Sequence, residues 1–161
     1  MKRSARVSLF VGLSLLAGIS SAGAQTKPIQ LSLFSPVQIF PENASEAGVR
    51  LSLLYGNNVD VGGIDIGLVS RVTGSGTGFQ WGAVGLVDGN FSGWQFNLIN
   101  VTRGNVEGLQ TGWYNSAAYV NGVQLGLVNH AGRMKGLQLG IVNLIDIGGQ
   151  FPFFPIVNWS F

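Results

Sequence analysis

Gly122-Val123-Gln124-Leu125-Gly126-Leu127-Val128-Asn129 and, fourteen residues on, Gly136-Leu137-Gln138-Leu139-Gly140-Ile141-Val142-Asn143 are two copies of one unit, and they decide the fold. Working backward, Gly108-Leu109-Gln110-Thr111-Gly112-Trp113-Tyr114-Asn115 keeps both Gly, the Gln and the Asn. Gly93-Trp94-Gln95-Phe96-Asn97-Leu98-Ile99-Asn100 loses only the second Gly. Gly78-Phe79-Gln80-Trp81-Gly82 keeps the first half, Gly63-Ile64-Asp65-Ile66-Gly67-Leu68-Val69-Ser70 places Asp for Gln and Ser for Asn, and Gly48-Val49-Arg50-Leu51-Ser52-Leu53 is a worn copy. The leading glycines fall at 48, 63, 78, 93, 108, 122 and 136, a period of 15 that shortens to 14. Self-similarity at a fixed short period marks a repeat architecture.

Within a unit, Leu137, Leu139 and Ile141 alternate with Gly136, Gln138 and Gly140. Period two is the signature of a strand, because successive side chains leave opposite faces of an extended backbone. Thr73-Gly74, Asp88-Gly89, Arg103-Gly104 and Ala131-Gly132 punctuate the strands with residues that favour turns. Two all-β architectures satisfy this pattern. The first is an antiparallel meander closed into a small outer-membrane-type β-barrel of about eight strands. A turn on Asp88-Gly89, a strong hairpin signal, then sets Phe79, Trp81 and Ala83 against Leu98, Phe96 and Trp94. A turn on Gly132 sets Gln138 against Gly126, with the glutamines in the lumen. The alternative is a β-solenoid with one coil of 14–15 residues per repeat. There the asparagines and glutamines stack on their own copies, with Leu137, Leu139 and Ile141 expected inside, Gly-Gln-Gly outside, and Trp81, Trp94 and Trp113 in the core.

The 161-residue chain has 25 Gly, no Cys and only 10% charged residues, against about 25% in an average soluble domain. Lys2, Arg3 and Arg6, the apolar run 7–19 and Ala22-Gly23-Ala24 fit a secretory signal peptide over residues 1–24. One repeat-built domain follows over 25–161. Removal of three of the nine basic residues leaves six against seven acidic ones, a net charge of −1. A nucleic-acid partner requires a basic footprint that this balance does not supply.

The chain ends Phe153-Phe154-Pro155-Ile156-Val157-Asn158-Trp159-Ser160-Phe161, with an apolar residue at every second place back from the terminus. A terminal Phe behind such alternation is similar to the closing strand of outer-membrane barrels, and it favours the barrel with 152–161 as its last strand. On a solenoid the same segment is a C-terminal cap. Residues 29–40 add a strand, a plug or a lead-in. Taken with the opening Pro28-Ile29-Gln30-Leu31-Ser32-Leu33-Phe34 and the Pro152-Phe153-Phe154-Pro155 ending, the G-x-Q-x-G-x-x-N units resemble the bacterial surface repeat-containing proteins from about 28 to 161. The resemblance implies export and a place at the surface or outer membrane; the barrel reading with its closing strand adds outer-membrane lipid and the barrel-assembly machinery as expected partners. It implies no activity and carries no catalytic residues.

The chemistry-bearing residues are sparse. His130 is the only His and reads as a solvated turn residue. With no Cys and no second His, no transition-metal cluster is expected. Asp88 and Asp146 read as turn formers. Asp65 takes the place of the repeat Gln, and Arg50 holds the same position one unit earlier, so the two can meet as an ion pair in the interior. No catalytic, cofactor-binding or metal residue and no cofactor is named, and the chain is expected not to be an enzyme. Its expected role is that of an exported surface or outer-membrane repeat protein with a structural or interaction function. The alternative role is a surface-exposed β-solenoid acting as a binding or adhesion module.

Overall fold

The computed structural model describes residues 27–34, 37–38 and 46–161. The signal-peptide reading of 1–24 lies outside them. The strands are β1 (Lys27–Phe34), β2 (Val37–Gln38), β3 (Glu46–Asn58), β4 (Val61–Val72), β5 (Gly76–Val87), β6 (Phe91–Ile147) and β7 (Phe153–Ser160).

Pairing is parallel from β1 to β3, β3 to β4, β4 to β5 and β5 to β6. Each residue stands on its own repeat equivalent: Gly78 on Gly93, Phe79 on Trp94, Gln80 on Gln95 and Trp81 on Phe96. The chain is therefore a β-solenoid, and the antiparallel barrel of eight strands is overturned. Phe79 faces Trp94 and not Leu98. Asp88-Gly89 is a bend at a coil corner and not a hairpin. β6 is long because its strand backbone winds through the last four repeats without a break.

Two features of the sequence force parallel stacking. The first is the column of leading glycines, in which each added Cβ would collide with the carbonyl oxygen of the glycine one coil earlier, at Gly63 as at Gly136. Such close approach requires a residue without a side chain. The second is at the corner around Asp88. There the side chains of Asp60, Ser75 and Asn90 accept the backbone N–H of Ser75, Asn90 and Asn105 in turn, one coil on. Small polar residues read as turn punctuation thus form a hydrogen-bonded ladder of corners.

The ends differ from the coils. β1, which overlaps the segment 29–40 expected as a strand, plug or lead-in, lies parallel on β3 and meets β2 antiparallel. β7 lies antiparallel on 136–144, with a register irregularity between Gly140 and Asn143. The closing segment is thus a cap on the last coil and not the seam of a barrel. Pro155 suits that place, since a residue without an N–H belongs on an edge strand, and capping removes an open edge on which another chain could template.

Candidate functional site

Each coil of the stack has five inward columns. Two are mainly apolar: Val61, Gly76, Phe91, Val106, Val120 and Met134 form one, and Val72, Val87, Ala117, Ala131 and Ile145 the other, with Thr102 in their line donating to Gln95. The remaining three are the repeat Gln, the second Gly and the repeat Asn. Gln80, Gln95, Gln110, Gln124 and Gln138 are fully buried, as are Asn100, Asn115, Asn129 and Asn143. The facing expected for a solenoid is therefore inverted, with the amides inside and the leucines outside. Trp81, Trp94 and Trp113 are likewise exposed and not core.

Polar side chains survive inside because they satisfy one another. Gln95, Gln110, Gln124 and Gln138 each donate from Nε2 to the Oε1 of the glutamine one coil earlier, at 3.0, 2.8, 2.7 and 2.8 Å. Gln124 and Gln138 give their second N–H to the carbonyls of His130 and Leu144. The asparagine ladder runs the other way. Asn100, Asn115 and Asn129 donate to the Oδ1 of the asparagine one coil later, each at 2.8 Å. Asn143 ends the row by donating to the Phe154 carbonyl of the cap. The two rows of side-chain dipoles point in opposite directions along the axis and offset each other's field.

An ion pair seals the N-terminal end of the glutamine row. Asp65 accepts Gln80 Nε2 at 2.9 Å and Ser70 Oγ at 3.2 Å. It also takes two hydrogen bonds from the buried Arg50 guanidinium, at 2.7 and 2.6 Å. Arg50 in turn donates to Asn58 and to the Arg71 carbonyl. The expected interior pairing of Asp65 with Arg50 holds, within a solenoid. Unit 78 explains its own exception. It carries Gly85 where the later units have Asn, and Asn97 of the next coil replaces a glycine; the Asn97 amide fills the space above Gly85 and bonds Gln80 and Asn100.

The outward positions form a belt. In the units starting at Gly63, Gly78, Gly93, Gly108, Gly122 and Gly136, the first, third, fifth and sixth residues after the glycine face out. All are apolar except Thr111 and Tyr114. Thr111 Oγ1 accepts the Trp94 indole N–H at 3.1 Å. The fifth and sixth residues are consecutive and both turn outward, as at Leu98-Ile99, Trp113-Tyr114 and Leu127-Val128. Two outward neighbours in a period-two strand mark a corner, so the belt bends around a convex ridge. On it Trp113 is 63% and Ile141 66% exposed. At the N-terminal end the belt dips into an apolar groove of about 630 Å³ between Leu31, Leu51, Leu68 and Trp81. With aromatic side chains of about 150–250 Å² each, roughly half exposed, the belt presents on the order of 1,000 Å². The largest patch on a typical monomer is about 300–600 Å².

Exposed charge begins two residues past the ridge, where Arg71 and His130 share the outward face of Val69 and Val128. Asp88 bridges Arg71 at 2.9 Å and Arg103 at 3.0 Å. Its hydrogen bond, and then its charge, raise the Arg71 pKa above the ordinary guanidinium value. His130 lies in β6 and not in a turn. Its Nδ1 is 3.3 Å from Ser116 Oγ, and its Nε2 is 3.1 Å from both Asp146 oxygens. Sequence reasoning missed this row, although the 14- and 16-residue separations of Ser116, His130 and Asp146 are the period plus a small offset. The row has the three groups of an acyl-transfer triad without their setting. The nitrogen facing the carboxylate is the reverse of the usual one. Ser116 also sits in strand backbone, whose N–H groups serve the ladder between coils and are not free as an oxyanion hole. Among the described residues no group of three or more His, Cys, Asp or Glu could hold a metal ion. No protein-family model matches the chain, and no curated protein or solved structure is significantly similar to it.

Proposed function

We propose that the chain is an exported, non-catalytic β-solenoid whose apolar belt is a binding surface. The observation that carries this reading is the segregation of side chains. Amides that could hydrogen-bond with water are buried in the coil, while leucines, isoleucines and tryptophans that would gain by burial face out. A fold stabilised by an internal amide ladder does not need its leucines as core. At about 25 cal/mol per Å² of apolar surface, the belt holds more than enough driving force to hold an apolar partner. The basic, apolar and small-residue order of residues 1–24 supports export.

The test separates belt from fold. The triple variant Trp113→Ser/Leu127→Ser/Ile141→Ser removes side chains that the solenoid does not pack, so its β-sheet circular dichroism and urea midpoint stay within about 1 kcal/mol of the parent. Binding of the fluorescent probe anilinonaphthalene sulfonate falls at least about fivefold, following the apolar area lost. Unchanged probe binding by a folded variant would show that the belt is not the binding surface.

A further inference from the structure

The belt also identifies what covers it, on the reading that it is a binding surface. We propose that the ridge inserts into the hydrocarbon of a phospholipid leaflet, with the solenoid lying along the lipid surface and its charged flank toward water.

Three features point to hydrocarbon and away from a protein. The first is polarity. A protein interface carries about one hydrogen bond per 100–200 Å² and a polar rim. The belt offers only Thr111, already bonded to Trp94, the Tyr114 hydroxyl and the indole N–H groups of Trp81 and Trp113 among its side chains. Its first, third, fifth and sixth positions bear no charged side chain in any unit from Gly63 to Gly136, and Arg71 and His130 stand two residues past the ridge on the second wall. The second is shape. The apolar surface covers the first wall and turns the corner onto the near edge of the second, so a second copy of this chain, equally convex, can press on one wall only. Fluid acyl chains conform to both. The third is the backbone. The belt's strands are paired along the stack axis, coil upon coil, so entry into lipid strips water from few unsatisfied N–H or C=O groups. The division into an apolar side and a charged side is that of an amphipathic element lying in a membrane interface, carried here by a solenoid.

Attraction of this kind rests on apolar area, and salt screens it little. The full chain therefore sediments with vesicles of zwitterionic phosphatidylcholine as well in 0.5 M as in 0.05 M salt, values chosen to bracket about 8 Å of Debye length. The depth of the ridge is read by fluorescence. One chain keeps Trp113 alone (Trp81→Phe, Trp94→Phe, Trp159→Phe). A second chain carries those changes with Trp113→Phe and Tyr119→Trp, which puts its single indole on the charged flank. On vesicles of phosphatidylcholine brominated in mid-chain, Trp113 emission shifts to the blue and falls at least about twofold, while the indole at 119 is unquenched. The ridge triple variant loses vesicle binding at least about tenfold. Three outcomes overturn the proposal: no sedimentation with vesicles, equal quenching of the two indoles, or binding that vanishes in high salt. Anilinonaphthalene sulfonate bound at the ridge without vesicle binding leaves the belt as a binding surface and removes lipid as its occupant. A mass twice that of the chain under those conditions assigns the ridge to a second copy.

Discussion

Asp65→Leu is expected to lower the stability of the solenoid by about 3–5 kcal/mol, the usual cost of removing one partner of a buried ion pair. The substitution leaves the buried Arg50 guanidinium with only Asn58 and the Arg71 carbonyl, and it strips Gln80 of the acceptor that begins the glutamine row. Urea unfolding reads the effect as a lower midpoint at unchanged slope. The double variant Arg50→Met/Asp65→Leu recovers most of the loss, because no charge then remains buried. If the double variant is as unstable as the single one, the pair is not what seals this end of the interior.

Gly108→Ala is expected to cost about as much, by a different route. Gly108 has φ +128°, and a Cβ there would collide with the carbonyl oxygen of Gly93. The backbone conformation alone costs an L-residue about 1–3 kcal/mol. Relief of the collision also pushes two coils apart and weakens the hydrogen bonds between them, so the total is about 3–5 kcal/mol. Gly148→Ala is the control. Gly148 also has positive φ, at +79°, but nothing lies within 4 Å of its added Cβ, so only conformational strain of about 1 kcal/mol is expected. Equal costs at the two sites, measured by urea unfolding, would mean that the glycine column is not closely stacked.

Much of the architecture was legible in the residues. The spacing of Gly48 to Gly136 defined the unit, and the alternation about Gln138 defined the strand. Arg50 and Asp65 were identified as a pair because each takes the glutamine position of its unit. The choice between meander and stack was not legible, because an alternating strand with Gly-containing turns serves both, and Asp88-Gly89 is as good at a coil corner as in a hairpin. The barrel reading set the glutamines inside, and the facing was misread only for the solenoid, for a physical reason. Leucine is assigned to a core by its transfer energy, but a row of identical amides in parallel register supplies each amide within it with a donor and an acceptor, leaving only the Gln138 Oε1 at the end of its row without one. That removes the penalty that normally keeps Gln and Asn outside. The Ser116–His130–Asp146 row was hidden because Ser116 and His130 share one place in the unit without sharing a residue type, and Asp146 sits two residues further along its own unit.

The central claim is that identical residues stack in parallel with hydrocarbon outside, and nitroxide labels on Leu127→Cys/Ile141→Cys test both halves at once in a chain that has no native cysteine. The two positions are equivalent in adjacent coils, so their backbones lie about 5 Å apart, whereas the meander displaces them by four residues, about 14 Å. The account predicts a spectrum strongly broadened by spin–spin interaction, from labels that a water-soluble relaxation agent reaches in the lipid-free protein. Labels without mutual broadening would contradict the parallel stack. Broadened labels shielded from the agent in a monomer would contradict the outward belt.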